Sequence, residues 1–543
     1  MNLKFWIFSA SWRRLVGALL MSAVVPMFGF SQTPYWQQEL HYNIQVALNE
    51  KQHSLKGDLS VDYINHSPDT LNFIWFHLWP NAYKNKNTAL GKQLLMLKEN
   101  EKHTNPLEKK KEAVHEPGYI DGLRFEVNKQ TAATENDTAN IDMVKVLLPQ
   151  PLLPGKQVTV TTPFNVKLPD YYSRSGYSGQ QFFVCQWYPK PAVYDNKGWH
   201  PIPYLDQGEF FSEYGSFKVA ITVPAEYVIG ATGSLQNKEE LAKYKQLGIA
   251  NNKNVKLVTY KTTTPGKTKT LQYTGDRILD FAWFAAKDFV IRYDTLQLTD
   301  NNTIDVFSYG QPDGNKTWKN STSYIKDAVR HYSKWIGQYP YPVVQAVEGP
   351  KNQSSGGMEY PMITLITSPN AKEEEMDGVI THEVGHNWFM GILGTNERQY
   401  AWMDEGINTY FQFRYEAEKY RTNSILSSSI PKEIKELSEE EFQARIYEVL
   451  TSIPAEQPIN TPSPAFTSNE DYGIVEYVKT AVWMYMLEAA IGRDTLDKGM
   501  QSYFKDWQFK HPQPEDLRKE LETASGKDLD TLFGLLNKEG RLF

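Results

Sequence analysis

The sequence predicts a multidomain chain: an N-terminal antiparallel β domain followed by an α+β domain. Three observations predict it. The chain has 543 residues, enough for two to four domains, each with its own core. From about 38 to 305 apolar residues recur every second position, the period of a half-buried strand. From about 310 the period becomes helical, after the turn-rich stretch Gly310-Gln311-Pro312-Asp313-Gly314. The expected division is therefore residues 1–32 as a leader, 33–309 as the β domain and 310–543 as the second domain.

In the first domain, Leu40, Tyr42, Ile44, Val46 and Leu48 alternate with polar neighbours, as do Leu59, Val61 and Tyr63, and Phe217, Val219, Ile221 and Val223. Asn65-His66-Ser67-Pro68-Asp69 and Pro154-Gly155 mark turns. A charged interruption at 98–117 carries Lys109-Lys110-Lys111. Glu99, Glu101, Glu108 and Glu112 interleave with the lysines, which reads as a solvated loop rather than a basic docking patch. In the second domain, Tyr324, Ile325, Ala328, Val329, Tyr332 and Trp335 form one helix face within 318–336. Strands are expected at 343–348 and 358–367, then two helices, another apolar helix at 474–491 and helical pattern over 514–537.

Composition narrows the function. Hydrophobic residues make up 41% and aromatics 13%, including 32 Tyr and 14 Trp, so the chain folds around aromatic-rich cores. Residues 1–32 place Lys4, Arg13 and Arg14 before the almost wholly apolar run Leu15–Phe30, which Pro26 interrupts; Ser31 and Gln32 follow. That is the layout of a secretory signal, too short and interrupted for a confident span. Phe28 and Phe30 stand where a cleavage site prefers small residues, so an uncleaved N-terminal anchor remains the alternative. An exported location, periplasmic or extracellular, is expected. Net charge is −7 and becomes −7 − 3 = −10 without the leader's three positive charges, which gives no footprint for nucleic acid. Cys185 is the only cysteine, so no intrachain disulfide forms, and it is expected to pack as a small hydrophobe.

The chemistry centres on His382-Glu383-Val384-Gly385-His386 and Glu405. On a helix, positions i and i+4 share a face, so His382 and His386 can present two imidazoles to one ion. Two imidazoles and the Glu405 carboxylate make three ligands for zinc, with a fourth position left for water. Glu383, one residue on, is placed to accept a proton from that water. Val379, Ile380, Val384 and Phe389 are the apolar positions of this helix, with Gly391 as its stop, and a second helix entering near Asp404 delivers Glu405. Trp388 and Trp402 read as core or pocket wall.

Several segments together resemble the gluzincin zinc aminopeptidases of the aminopeptidase N and leukotriene-hydrolase type, in particular exported members from Bacteroidetes-type bacteria. These are Gln186-Trp187-Tyr188-Pro189-Lys190-Pro191-Ala192-Val193-Tyr194-Asp195, Gly356-Gly357-Met358-Glu359-Tyr360, the run from His382 to Glu405, and Tyr477-Val478-Lys479-Thr480-Ala481. The resemblance implies a thermolysin-like catalytic domain and one zinc ion held by His382, His386 and Glu405. It implies Glu383 as general base, Tyr477 as oxyanion donor and Glu359 as acceptor for the substrate's α-ammonium. Gly356, Gly357 and Met358 would line the peptide, the glycines allowing close backbone approach. Peptides are the expected partners, cleaved at the first residue. A zinc endopeptidase and a non-catalytic peptide-binding scaffold are the alternatives. Two positions depart from the family pattern: Tyr360 stands for the usual Asn and Thr480 for the usual Gly.

Overall fold

The computed structural model describes residues 35–100, 116–208, 210–253, 256–262, 264–299, 302–350, 356–426 and 430–542. The expected leader and the Lys109-Lys110-Lys111 run lie outside them. Residues Gln37–Phe543 form one compact unit. Among the described residues no helix is long and apolar enough to cross a membrane.

The alternating segments become the centre of a nine-stranded sheet. Glu39–Asn49 and Ser54–Ile64 pair antiparallel over their full length, and Gln157–Lys167 continues the sheet beside Ser54–Ile64. Leu40, Tyr42, Ile44, Val46 and Leu48 all point into the core, as the two-residue period requires. One pairing in this mainly antiparallel sheet differs: Gly215–Pro224 lies parallel to Glu39–Asn49, with Tyr42 opposite Phe217. The two are far apart in sequence, so the chain between them can make the long crossover that parallel neighbours need. Cys185 is buried, as its expected packing role requires.

The strand-rich half also contains two helices, Ala89–Asn100 and Lys238–Lys253. The second buries only Tyr244, Gly248 and Asn251, so it carries no apolar stripe.

A five-stranded mixed sheet underlies the second half, in the order Val290–Thr299, Asn302–Gly310, Val343–Glu348, Ile363–Thr367, Gly356–Met358. It begins before residue 310, so the expected boundary falls at the end of a strand rather than in a linker. The stretch expected as a single strand, 358–367, is two antiparallel strands. Pro361 and Met362, the latter at φ +63, turn the chain between them. Gly356–Met358 becomes the sheet's edge, with one side unpaired within the sheet.

The helix Ser321–Trp335 buries Tyr324, Ile325, Ala328, Val329, Tyr332 and Trp335, the predicted face. It packs against the helix Glu373–Gly385, which carries the paired histidines. Trp388 and Trp402 are fully buried. Near the C-terminus, 474–491 divides into a wide turn at Gly473–Lys479 and the helix Thr480–Ile491; 514–537 divides into Pro514–Ser525 and two shorter turns.

Candidate metal centre

The histidine helix starts with Glu373, Glu374 and Glu375, three acidic side chains where the helix dipole favours them. It ends at Gly385, earlier than the Gly391 stop expected from the sequence. His386 still has helical backbone angles and its N–H bonds the His382 carbonyl, so the i, i+4 spacing survives. Gly385 is required by packing. A Cβ there would lie 2.1 Å from Asn408 Oδ1 and 2.4 Å from the Tyr332 hydroxyl. Asn408 Nδ2 donates to the His382 carbonyl at 2.8 Å, and Tyr332 donates to Asn408 Oδ1 at 2.6 Å. The glycine thus lets a neighbouring helix lock the backbone that carries His382.

The segment bearing Glu405 enters earlier than the expected start near Asp404. A short helix, Glu397–Ala401, leads into a π-type turn, Trp402–Gly406, and then the helix Ile407–Tyr420. The extra residue in a π turn widens the helix locally, a device that recurs at functional sites. Here both Asp404 and Glu405 reach the histidines.

The three predicted ligand atoms form a nearly equilateral triangle. His382 Nε2 lies 3.1 Å from His386 Nε2 and 3.1 Å from Glu405 Oε2, and His386 Nε2 lies 3.2 Å from the same oxygen. Tetrahedral ligands at the usual zinc distances stand about 3.3 Å apart, so the triangle has the size of a zinc site. The outer partners agree. His386 Nδ1 meets Asp404 Oδ1 at 2.6 Å and His382 Nδ1 meets Gln412 Oε1 at 2.9 Å. Both partners accept, so each ring carries its proton on Nδ1 and turns an Nε2 lone pair inward. Two lone pairs and a carboxylate converge, an arrangement suited to a metal cation. Burial opposes charge on His386, yet the Asp404 and Glu405 carboxylates outweigh it and raise its affinity for positive charge. Gln412 is fixed in turn by donating to Glu416 at 2.8 Å.

Glu383 is buried beside this triangle, and its Oε2 has no hydrogen-bond partner. Burial pushes its carboxyl up to about 7, with the two histidines pulling the other way. A metal cation alongside pulls in that same direction. Gly357 lies directly against it: a Cβ there would come within 2.1 Å of Glu383 Oε1. Gly356 is exposed at φ +82, a conformation that glycine adopts freely. Met358 is buried, its sulfur 2.7 Å from an Arg174 Nη1. Glu359 follows at the end of the edge strand, buried, with oxygens close to Glu383, His386 and Glu405. Tyr477 stacks on the His382 ring, centroids 5.7 Å apart and 23° between planes, and its phenol faces Glu405. All nine predicted site residues therefore belong to one neighbourhood.

The two departures resolve differently. Tyr360 turns into the core, against Phe210 and Phe284, and its hydroxyl donates to Gln186 Oε1 at 3.3 Å. Thr480 is buried where two π-type turns meet. A Cβ on Gly406 would lie 2.3 Å from Thr480 Cβ, so glycine on the opposite turn makes the room. Asp404, Gln412 and Asn408 support the site without having been predicted from the sequence. Asp404 had a signal, its adjacency to Glu405; Gln412 and Asn408 are ordinary helix residues until the fold places them.

Comparison with known proteins agrees with this geometry. Residues 324–535 match the peptidase family M1 domain. Glutamyl aminopeptidase of Sus scrofa is 23% identical over 247 residues, 44% of this chain and 25% of that protein. Mitochondrial aminopeptidase 2 of Saccharomyces cerevisiae is 24% identical over 260 residues, with the same two shares. These matches span about a quarter of the relatives' length. An M1 zinc metallopeptidase from Deinococcus radiodurans superposes with TM-score 0.61 at 17% identity, covering 92% of this chain and 94% of that one. Aminopeptidase A of Legionella pneumophila, solved with aspartic acid, superposes with TM-score 0.61 at 13% identity, covering 94% of this chain and half of that one. At such identities the likeness is one of fold. The fold is that of M1 zinc metallopeptidases, and the donor set is one that suits zinc. The segment that matches the peptidase family M1 domain, residues 324–535, contains the whole metal triangle.

Proposed function

We propose that this chain is a zinc aminopeptidase that releases the first residue of peptides. The observation that carries the reading is Glu359, a buried carboxylate at the end of an unpaired edge strand and beside the metal triangle. A peptide can add to that edge as a further strand, with its first residue at Glu359. His382, His386 and Glu405 hold zinc. When bound, zinc supplies a Lewis acid that stabilises negative charge on oxygen and lowers the pKa of water. Glu383 takes the proton from the attacking water and passes it to the departing amine. The Tyr477 hydroxyl donates to the carbonyl oxygen as charge develops there. Glu359 accepts from the substrate's α-ammonium, which an internal peptide bond lacks.

The test compares one peptide with a free and an N-acetylated first residue, alongside metal analysis. One zinc per chain is expected, with release of the first residue from the free peptide and at least a hundredfold slower cleavage of the acetylated one. Equal cleavage of both, or internal cuts first, would establish the endopeptidase alternative. Zinc bound without turnover would establish the scaffold. The N-terminal pattern supports export; N-terminal sequencing of the mature protein from the exported fraction checks it, and recovery solely from the cytoplasm would refute it.

A further inference from the structure

We propose that Glu397 is the third carboxylate of a tripod, with Glu359 and Glu405, that grips the substrate's free α-ammonium. The inference rests on the aminopeptidase reading and adds a positioning residue to it. One carboxylate oxygen from each of Glu359, Glu397 and Glu405 lies within 4.8 Å of the other two. An ammonium has three N–H donors at tetrahedral angles. Three acceptors, each about 2.9 Å from one nitrogen, stand about 4.7 Å apart. One nitrogen can therefore serve all three.

The three carboxylates are built in. Glu359 is 5% exposed and Glu397 2%. Among the described residues no hydrogen bond reaches the Glu359 carboxylate. Glu397 uses Oε2 to accept from the Phe210 amide at 3.1 Å, and its backbone carbonyl accepts from Ser463 Oγ at 3.0 Å. The first bond fixes the side chain and the second its backbone, and neither uses Oε1. The neighbouring cation does not neutralise it. Arg398 turns away and donates to the Gly208 and Pro203 carbonyls. Glu476, fully buried with neither carboxylate oxygen hydrogen-bonded, adds further acid beside Glu397 and Glu405. Glu405 already directs Oε2 at the two imidazoles. Burying three carboxylates this close is costly, and a positive partner beside them relieves that cost. An ammonium supplies both the charge and the donor geometry.

The experiment uses the zinc-loaded protein and two competitors of peptide hydrolysis: L-leucine and 4-methylpentanoate, the same molecule without its amine. In wild type L-leucine should bind more tightly. Glu397→Gln should weaken L-leucine tenfold or more and 4-methylpentanoate less than twofold, with zinc still at one per chain. Glu359→Gln should behave alike. Discrimination lost in Glu359→Gln but kept in Glu397→Gln would overturn this inference and leave the aminopeptidase reading standing. A wild type that does not distinguish the two competitors would overturn both. A second metal ion per chain, lost in Glu397→Gln, would show a cation site instead. Should Glu397→Gln fail to fold, a crystal structure of wild type with L-leucine decides. A nitrogen within about 3.2 Å of a Glu397 oxygen supports the tripod, and one turned away refutes it.

Discussion

At position 357 the space a side chain would occupy is already taken by the Glu383 carboxylate. A Cβ there would meet Oε1 at 2.1 Å, Cδ at 2.2 Å and Cγ at 2.3 Å. From the sequence, Gly357 reads as room for a substrate backbone; in the fold it is first of all room for the Glu383 carboxylate. Gly357→Ala must therefore push Glu383 off its position while leaving the zinc ligands in place. Displacing a catalytic group by about 1 Å costs on the order of a hundredfold. A tenfold to hundredfold fall in kcat with one zinc per chain is expected, measured by steady-state kinetics and metal analysis. A kcat within twofold of wild type would show that Glu383 either is not the base or moves freely. The same residue illustrates the reach of a motif. His382, Glu383, His386 and Glu405 were legible because their chemistry depends on spacing along one or two helices. Glu397 was not, because its partners, Glu359 and the Phe210 amide, come from distant segments.

Two widened turns, Trp402–Gly406 and Gly473–Lys479, deliver Glu405 and Tyr477 side by side, and they touch at Gly406. A Cβ at 406 would lie 2.3 Å from Thr480 Cβ and 2.4 Å from the Glu476 carbonyl oxygen. Neither atom is the tip of a flexible chain, so the turns must part. Gly406→Ala should cost about 1–3 kcal/mol, the usual penalty of overpacking. It should lower Tm and, by moving Tyr477 relative to Glu405, lower kcat as well. Thermal unfolding with kinetics on the same sample checks this, and an unchanged Tm would refute the tight contact. Elements were legible where burial follows periodicity. Ser321–Trp335 keeps its predicted face because six of its residues meet the core. Lys238–Lys253 escaped because its few buried residues set no period, and 358–367 was read as one strand because its apolar residues continue through the Pro361 turn. The π turns have no local sequence signature; the closeness of the two backbones at Gly406 appears only once the helices are packed.

Across the whole molecule, the β half does more than precede the metal site. The five-stranded sheet takes two of its strands, Val290–Thr299 and Asn302–Gly310, from residues up to the change of period at about 310. Asn302–Gly310 is an interior strand, paired parallel with Val343–Glu348, whose six residues are all buried. The β half also supplies the Phe210 amide to Glu397 and sets Arg174 against Met358 on the edge strand. One continuous cluster of buried residues spans both halves, from Leu40 to Leu542, beside a smaller separate one around Trp79 and Tyr204. A fragment comprising residues 310–543 alone would expose the edge of a wholly buried strand and lose the Arg174 contact on the edge strand. An uncovered apolar edge pairs with other chains rather than folding. Such a fragment should therefore fail to unfold cooperatively and fail to hold one zinc per chain. Adding residues 33–309 as a separate chain should not restore both, because the cut severs the core rather than a linker. The check is circular dichroism through a thermal ramp with metal analysis of the purified fragment. A soluble 310–543 fragment with a cooperative transition and stoichiometric zinc would show that the half bearing the metal triangle is an independent domain after all.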